Sequence, residues 1–302
     1  MSSNKALDLK AVAMLVILCA SWGLQQVAIK YANQGVSPLL QAGIRSMGAA
    51  ILICLWMAAR RIPLFERDGT LGWGLAAGLL FTAEFLLIYW GLEYTNASRA
   101  VIFLYMSPFV VALGAQLFIP GEQLRRIQVF GLVCAFSGIL TAFSESLALP
   151  THRMLVGDAM LVVAALFWGT TTVLIKASPL VHIRPSKTLL YQLAVSALVL
   201  PLASLLKHEN GIVRITPMIS ASLVYQTVWV AFITYLAWFW LVRNYAPSRL
   251  AAFTFLTPLC GVFAGGLLLD EPITKALLVA LILVGFGIFL VNRPIDTAGH
   301  KA

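Results

Sequence analysis

The chain has 302 residues, 60% of them hydrophobic and 11% charged, with a formal net charge of +9. A soluble domain carries about 25% charged residues, so the composition excludes a soluble globular enzyme, and its hydrophobicity excludes a disordered chain. Apolar runs of about 20 residues recur, as in membrane helices, whereas a membrane barrel shows alternating segments of about 10.

The runs predict an all-α integral membrane protein with ten transmembrane helices. The first span, 11–30, follows Lys5 and Lys10 and outruns the h-region of a signal peptide, so it reads as a retained helix. It places Trp22, Gln25 and Gln26 on one face by i, i+3 and i+4 spacing. The second span, 38–58, contains Arg45, and the third, 71–92, contains Glu84. Each charge costs about 2.5–3.5 kcal/mol at a helix centre, so each is expected to face the bundle interior or a water-filled cavity. At 1.5 Å per residue, Arg45 lies ~10 Å and Glu84 ~12 Å from the same membrane face. Two readings stand: a structural ion pair, or a site where the carboxylate takes an amine or proton and the guanidinium takes a carboxylate.

The fourth span, 98–118, sets Tyr105 and Ser107 beside Pro108, a mid-helix proline that frees a carbonyl and kinks the helix. The fifth is 126–144. The sixth, 156–176, carries Trp168, Thr171 and Thr172, and the seventh is 187–206. The eighth, 219–241, holds Tyr225, Gln226, Thr234, Tyr235 and Trp238; Tyr235 and Trp238 either stack on a substrate or cation or pack the bundle. The ninth, 248–269, has Thr254 and Thr257 flanking Pro258, and the tenth is 274–292. Gly74–Gly78 and Gly261–Gly265 are GxxxG pairs. They favour close contact within the chain and also allow a homodimer. Glu122 and Glu271 fall at span ends and read as loop anchors.

No cofactor or metal is expected. Cys19, Cys54, Cys134 and Cys260 lie inside apolar runs without metal spacing, and His152, His182, His208 and His300 lie in loops or the tail. No GxxxxGK phosphate loop occurs, which argues against ATP hydrolysis, and no Ser–His or paired-carboxylate arrangement suggests an enzyme. The basic residues sit in gaps between spans, which points to membrane orientation and not to nucleic acid. With the N-terminus inside, fourteen of the 21 Lys and Arg residues fall on the inner side and six on the outer, with Arg45 inside a span. Both termini are therefore expected in the cytoplasm.

The chain also repeats itself. Trp22-Gly23 aligns with Trp168-Gly169, Ser98-Arg99 with Ser248-Arg249, Ser107-Pro108 with Thr257-Pro258, and Gly138-Ile139 with Gly287-Ile288. The expected units are 1–147 and 148–302, each with five spans. Five is odd, so the second unit is inverted, a plan used by secondary transporters with a site at the repeat interface.

These residues, with Ile29-Lys30, Tyr94-Thr95-Asn96-Ala97-Ser98, Gly121-Glu122, Gly157-Asp158, Pro247-Ser248 and Asp270-Glu271-Pro272, carry a resemblance. The chain resembles EamA-type members of the drug/metabolite transporter superfamily. The resemblance implies a carrier of the inner membrane that exports amino acids or related small metabolites. Its partners would be a small-molecule substrate, membrane lipid and, as coupling ion, the proton. Trp22, Gln25, Arg45, Glu84, Tyr105, Trp168, Thr171, Tyr235 and Trp238 are the expected substrate-binding residues. Other readings are a carrier of lipid-linked or nucleotide-sugar cargo, or a non-transporting receptor.

Overall fold

The computed structural model describes residues 7–64, 68–144, 149–269 and 274–293. They form ten membrane helices: α1 (Leu9–Ala32), α2 (Pro38–Ala59), α3 (Leu71–Tyr94), α4 (Ala97–Phe118), α5 (Arg126–Ala142), α6 (His152–Ala177), α7 (Pro185–Leu206), α8 (Pro217–Asn244), α9 (Pro247–Leu269) and α10 (Lys275–Asn292). Nine have 18 residues or more; α5 has 17. Seven of the ten starts have a side-chain cap or a first-turn proline. The side chains of Asp8, Asn96, Thr151 and Thr216 accept backbone N–H groups at the starts of α1, α4, α6 and α8. Prolines occupy the first turn of α2, α7, α8 and α9, where a missing N–H costs nothing.

Two helices are broken where proline demands it. α4 divides into Ala97–Leu104 and Ser107–Phe118, and α9 into Pro247–Thr254 and Leu256–Leu269. Pro108 and Pro258 lack the N–H that would bond the carbonyl four residues back, at Leu104 and Thr254. The repeat therefore preserves the break as well as the motif. α8 carries an irregularity that no proline announces: Tyr225–Thr234 is wound as a π-helix, a form often found at functional sites.

The ten helices are two inverted five-helix repeats, and their packing follows a pseudo-two-fold axis. α2 packs on its mate α7, and α5 on its mate α10. The contact of α1 with α9 is mirrored by α6 with α4, that of α3 with α6 by α8 with α1, and that of α3 with α7 by α8 with α2. The symmetry reaches single residues. A Cβ on Gly23 would fall 2.7 Å from Cys260 Cβ, and one on its mate Gly169 would fall 2.6 Å from Val110 Cβ. The GxxxG glycines also work within the chain: Gly74 and Gly78 receive Tyr191 and Val195 of α7, and Gly261 meets Gly23.

α1 begins and α10 ends at one face, called here the terminal face. At the opposite face the loop after α7 straps the α1–α2 turn. Ser37 N–H donates to Gly211 O at 2.9 Å and Val213 N–H to Gly35 O at 2.8 Å. Glu209 accepts from Leu39 N and Leu40 N at 3.3 Å, placing an anion at the positive N-terminus of α2. The core is built from small and aliphatic residues of both repeats, including Leu15, Ile53, Leu132, Leu161, Leu189 and Leu193. Large apolar side chains such as Leu117, Leu198 and Ile282 point outward, as a lipid-facing surface requires.

Candidate functional site

The site is built on α1, α2, α3 and α8. Trp22 of α1 donates its indole N–H to Thr234 Oγ1 at 2.8 Å. Thr234 in turn donates to Val230 O at 2.7 Å. Nearer the opposite face, Tyr225 OH donates to Ser21 O at 2.9 Å and Trp229 Nε1 to Ser21 Oγ at 2.8 Å. The π-wound part of α8 is thus clamped to α1 at both ends. Trp22 then sets the aromatic order: its ring lies edge-on to Trp238 at 5.5 Å and to Tyr235 at 6.3 Å. Tyr235 meets Phe81 at 6.1 Å, Phe81 meets Phe85 at 4.9 Å, and Phe85 meets Tyr89 at 6.4 Å. A continuous aromatic wall runs from α1 through α8 to α3.

The two deep charges stand against this wall. The Arg45 guanidinium lies over the Phe85 ring, 4.6 Å from its centroid, a cation–π contact that strengthens when desolvated. Arg45 is 1% and Glu84 7% exposed. Neither a hydrogen bond nor an ion pair joins them. Among the described residues, Arg45 Nε and Nη2 have no hydrogen-bond partner. A buried guanidinium with two unused donors is costly, and protein chains seldom tolerate it away from a working site.

Trp22, Tyr235, Trp238 and Arg45 lie along this first cluster of rings, and Glu84 is buried beside Phe85 on α3. Tyr105 and Trp168 form a second pair, edge-on at 5.7 Å, with no ring contact to the first cluster among the described residues. Gln25 is buried on α1, but Gln26 is exposed, so the two do not share an inward face as their spacing suggested. Adjacent helical positions diverge by about 100°; Gln26 lies on the Gly23 side of α1, its Cγ 3.7 Å from a Cβ built on Gly261 of α9. Thr171 donates its hydroxyl to Phe167 O and Thr172 to Trp168 O, so both bond their own helix. Glu122 accepts from Ser248 Oγ at 3.0 Å, an anchor between the repeats. Glu271 lies outside the described residues.

Beyond Gln226, already singled out in the eighth span, the structure adds two buried polar residues, Gln192 and Ser46, and one ion pair. Gln192 of α7 is fully buried, with neither its amide oxygen nor its nitrogen bonded; Ser46 Oγ and Gln226 Nε2 are likewise buried without a partner among the described residues. A signal for Gln192 existed. Pro38 and Pro185 open mated helices 147 residues apart, and the same offset pairs Arg45 with Gln192. Both mates are thus buried polar residues. The ion pair is Arg99 with Asp158. It was hidden because both lie near span ends and read as interfacial. Arg99 Nε lies 3.2 Å from both carboxylate oxygens, Nη2 also bonds Oδ2, and Thr95 Oγ1 donates to Oδ1 at 2.8 Å.

A family model described as the EamA-like transporter family matches residues 9–144 and again 155–293. The chain belongs to the EamA-like transporter family. It is similar to a "Probable amino-acid metabolite efflux pump" of Escherichia coli (strain K12), with 27% identity over 92% of this chain and 93% of that protein. An "Uncharacterized transporter YvbV" of Bacillus subtilis (strain 168) is 28% identical over 93% of this chain and 90% of its own length. A solved crystal structure superposes with a TM-score of 0.81 at 15% identity, covering 94% of this chain and 96% of the other, and supports the fold alone. The two matched segments correspond to the two repeats. The protein is thus a multi-pass membrane transporter.

Proposed function

We propose that this transporter is a secondary exporter of amino acids or related small metabolites, with Arg45 and Glu84 as the polar poles of its substrate site. The observation that carries the reading is Arg45: a buried guanidinium with two free donors, stacked on Phe85 and separated from the single deep carboxylate of α3. Such a guanidinium offers two parallel N–H groups to a carboxylate. Glu84 offers an anion to an ammonium or a proton. The rings of Phe81, Phe85, Tyr235 and Trp238 receive an apolar side chain between the poles. The name of the Escherichia coli relative agrees with this substrate class.

In this reading the halves 1–147 and 148–302 rock against each other about the α2–α7 contact, exposing the site to each side in turn. The protein sits in the inner membrane with its terminal face in the cytoplasm. Movement of a proton on and off Glu84 couples transport to the proton gradient.

Flux of labelled amino acids from proteoliposomes, with and without an imposed pH gradient, tests the proposal. Arg45→Gln should raise KM for carboxylate-bearing substrates roughly 10–100-fold, the loss of a hydrogen bond to a charged group. Glu84→Gln should abolish stimulation by the pH gradient in protein that remains monodisperse. Equal KM in wild type and Arg45→Gln would overturn the substrate pole. Retained pH stimulation in Glu84→Gln would overturn the proton role. Absence of flux for every amino acid, with flux of a nucleotide sugar or lipid-linked compound, would replace the substrate class.

A further inference from the structure

A second polar site lies at the terminal face, away from the aromatic wall. A cavity of about 430 Å³ opens where the end of α2, the start of α7 and the end of α8 meet. Three arginines line it, one from each element: Arg60, Arg184 and Arg243. Trp56, Trp240 and Leu236 complete its apolar side. The volume lies within the range of about 300–1,000 Å³ that suits small ligands.

Three arginines around one cavity repel one another unless an anion lies among them. Among the described residues, no carboxylate pairs with Arg60, Arg184 or Arg243. Asp68, an acid at the same face, is already engaged by Lys187 Nζ at 2.6 Å and by Thr70. Arg60 is held in place by stacking on Trp56, 4.6 Å from the ring centroid. Arg184 is the N-cap of α7, so the positive end of a 22-residue helix adds to the field. The cavity is therefore positive, with no counter-ion among the described residues.

The apolar side decides what kind of anion fits. Trp56 and Trp240 are 38% and 42% exposed at the ends of their helices, the depth at which tryptophan sits among lipid headgroups. A ligand that uses the whole cavity presents a phosphate to the arginines and hydrocarbon to the indoles. We propose that this cavity binds the phosphate headgroup of an anionic phospholipid from the leaflet at the terminal face. Basic pockets between membrane helices bind such headgroups elsewhere. The occupant would tie α2 of one repeat to α7 and α8 of the other, and so bias the movement between halves.

Native mass spectrometry of the detergent-purified full chain, titrated with phosphatidylglycerol, phosphatidylcholine or inorganic phosphate, tests this. Phosphatidylglycerol should be retained and phosphatidylcholine lost. Each arginine removed should weaken retention about fivefold, so Arg60→Gln/Arg184→Gln/Arg243→Gln loses it and Arg243→Gln alone weakens it measurably. Arg126→Gln, a charge-matched change at the same face outside the cavity, should leave retention unchanged. Should the triple variant not fold, Arg243→Gln against Arg126→Gln decides alone. Equal retention of phosphatidylglycerol by Arg243→Gln and wild type, or equal retention of the two lipids, would overturn the site. Displacement of the lipid by millimolar inorganic phosphate would overturn the lipid source and assign the cavity to a soluble phosphate compound.

Discussion

Arg99 and Asp158 meet between α4 and α6, and each is about 6% exposed at the side chain. The pair offsets two burial costs that neither residue could bear alone. Thr95 adds a hydrogen bond to the same carboxylate. Removing one partner strands the other, so Asp158→Asn should lower stability by about 3–5 kcal/mol, whereas exposed pairs contribute at most about 1. Thermal unfolding in detergent should show this as a large drop in Tm for Asp158→Asn and little change for Lys207→Gln, whose ion pair with Glu93 is half-exposed. Arg45 is the contrasting case at this scale. It has no carboxylate partner among the described residues, and its guanidinium rests on the Phe85 ring instead.

At the scale of elements, the helices were legible and their irregularities only partly so. Spans read from hydropathy match the observed ends to within a few residues, because length and apolarity are set locally by the thickness of the bilayer. The breaks in α4 and α9 follow from Pro108 and Pro258, again a local cause. The π-wound part of α8 has no local signature; it is matched to its anchors on α1, Ser21 and Trp22. Helix pairing depends on small residues that one sequence marks ambiguously. Gly138 lies where a Cβ would be 2.9 Å from Ala280 O, and its mate Gly287 where a Cβ would be 2.6 Å from Ala135 N. The α5–α10 contact therefore has no room for a side chain at either glycine. Gly287→Leu should cost at least about 1–3 kcal/mol by overpacking, while Gly285→Leu, whose Cβ meets nothing within 4 Å, should be near neutral. Both are read as Tm shifts of the purified protein.

For the whole molecule, the two repeats are held together at the terminal face by side chains that cross between them. Asp68 precedes α3 and Lys187 opens α7, so their contact joins the halves. The Lys187 hydrogen bond, helped by Thr70 and opposed by burial, lowers the Asp68 carboxyl from 3.8 to about 2. A depressed acid contributes its stability above its unfolded value and loses it as pH falls toward the folded one. The tie is therefore constant at every pH above about 4 and released between about 4 and 2. Wild type should exceed Asp68→Asn in Tm by a fixed margin from pH 8 to pH 5, and the margin should close below pH 4. A margin that changed between pH 5 and 8 would place another titrating group in the tie. Any pH dependence of transport near neutrality must then arise elsewhere in the molecule.

The sequence by itself determined the class, the ten spans, their two-fold repetition and the residues whose burial needs a reason, because hydropathy, proline and repeated motifs act locally or at a constant offset. It showed Arg45 and Glu84 as deep charges and Trp22, Tyr235 and Trp238 as aromatic candidates. Tertiary structure alone decided which of these meet: Arg45 stacks on Phe85 and forms no ion pair with Glu84, Tyr105 and Trp168 stand apart from the first cluster, and three arginines from distant segments share one cavity. The reason is that a helix presents a new direction every 100°. Which direction faces a neighbour is settled by close packing between helices, and that packing is a property of the assembled bundle.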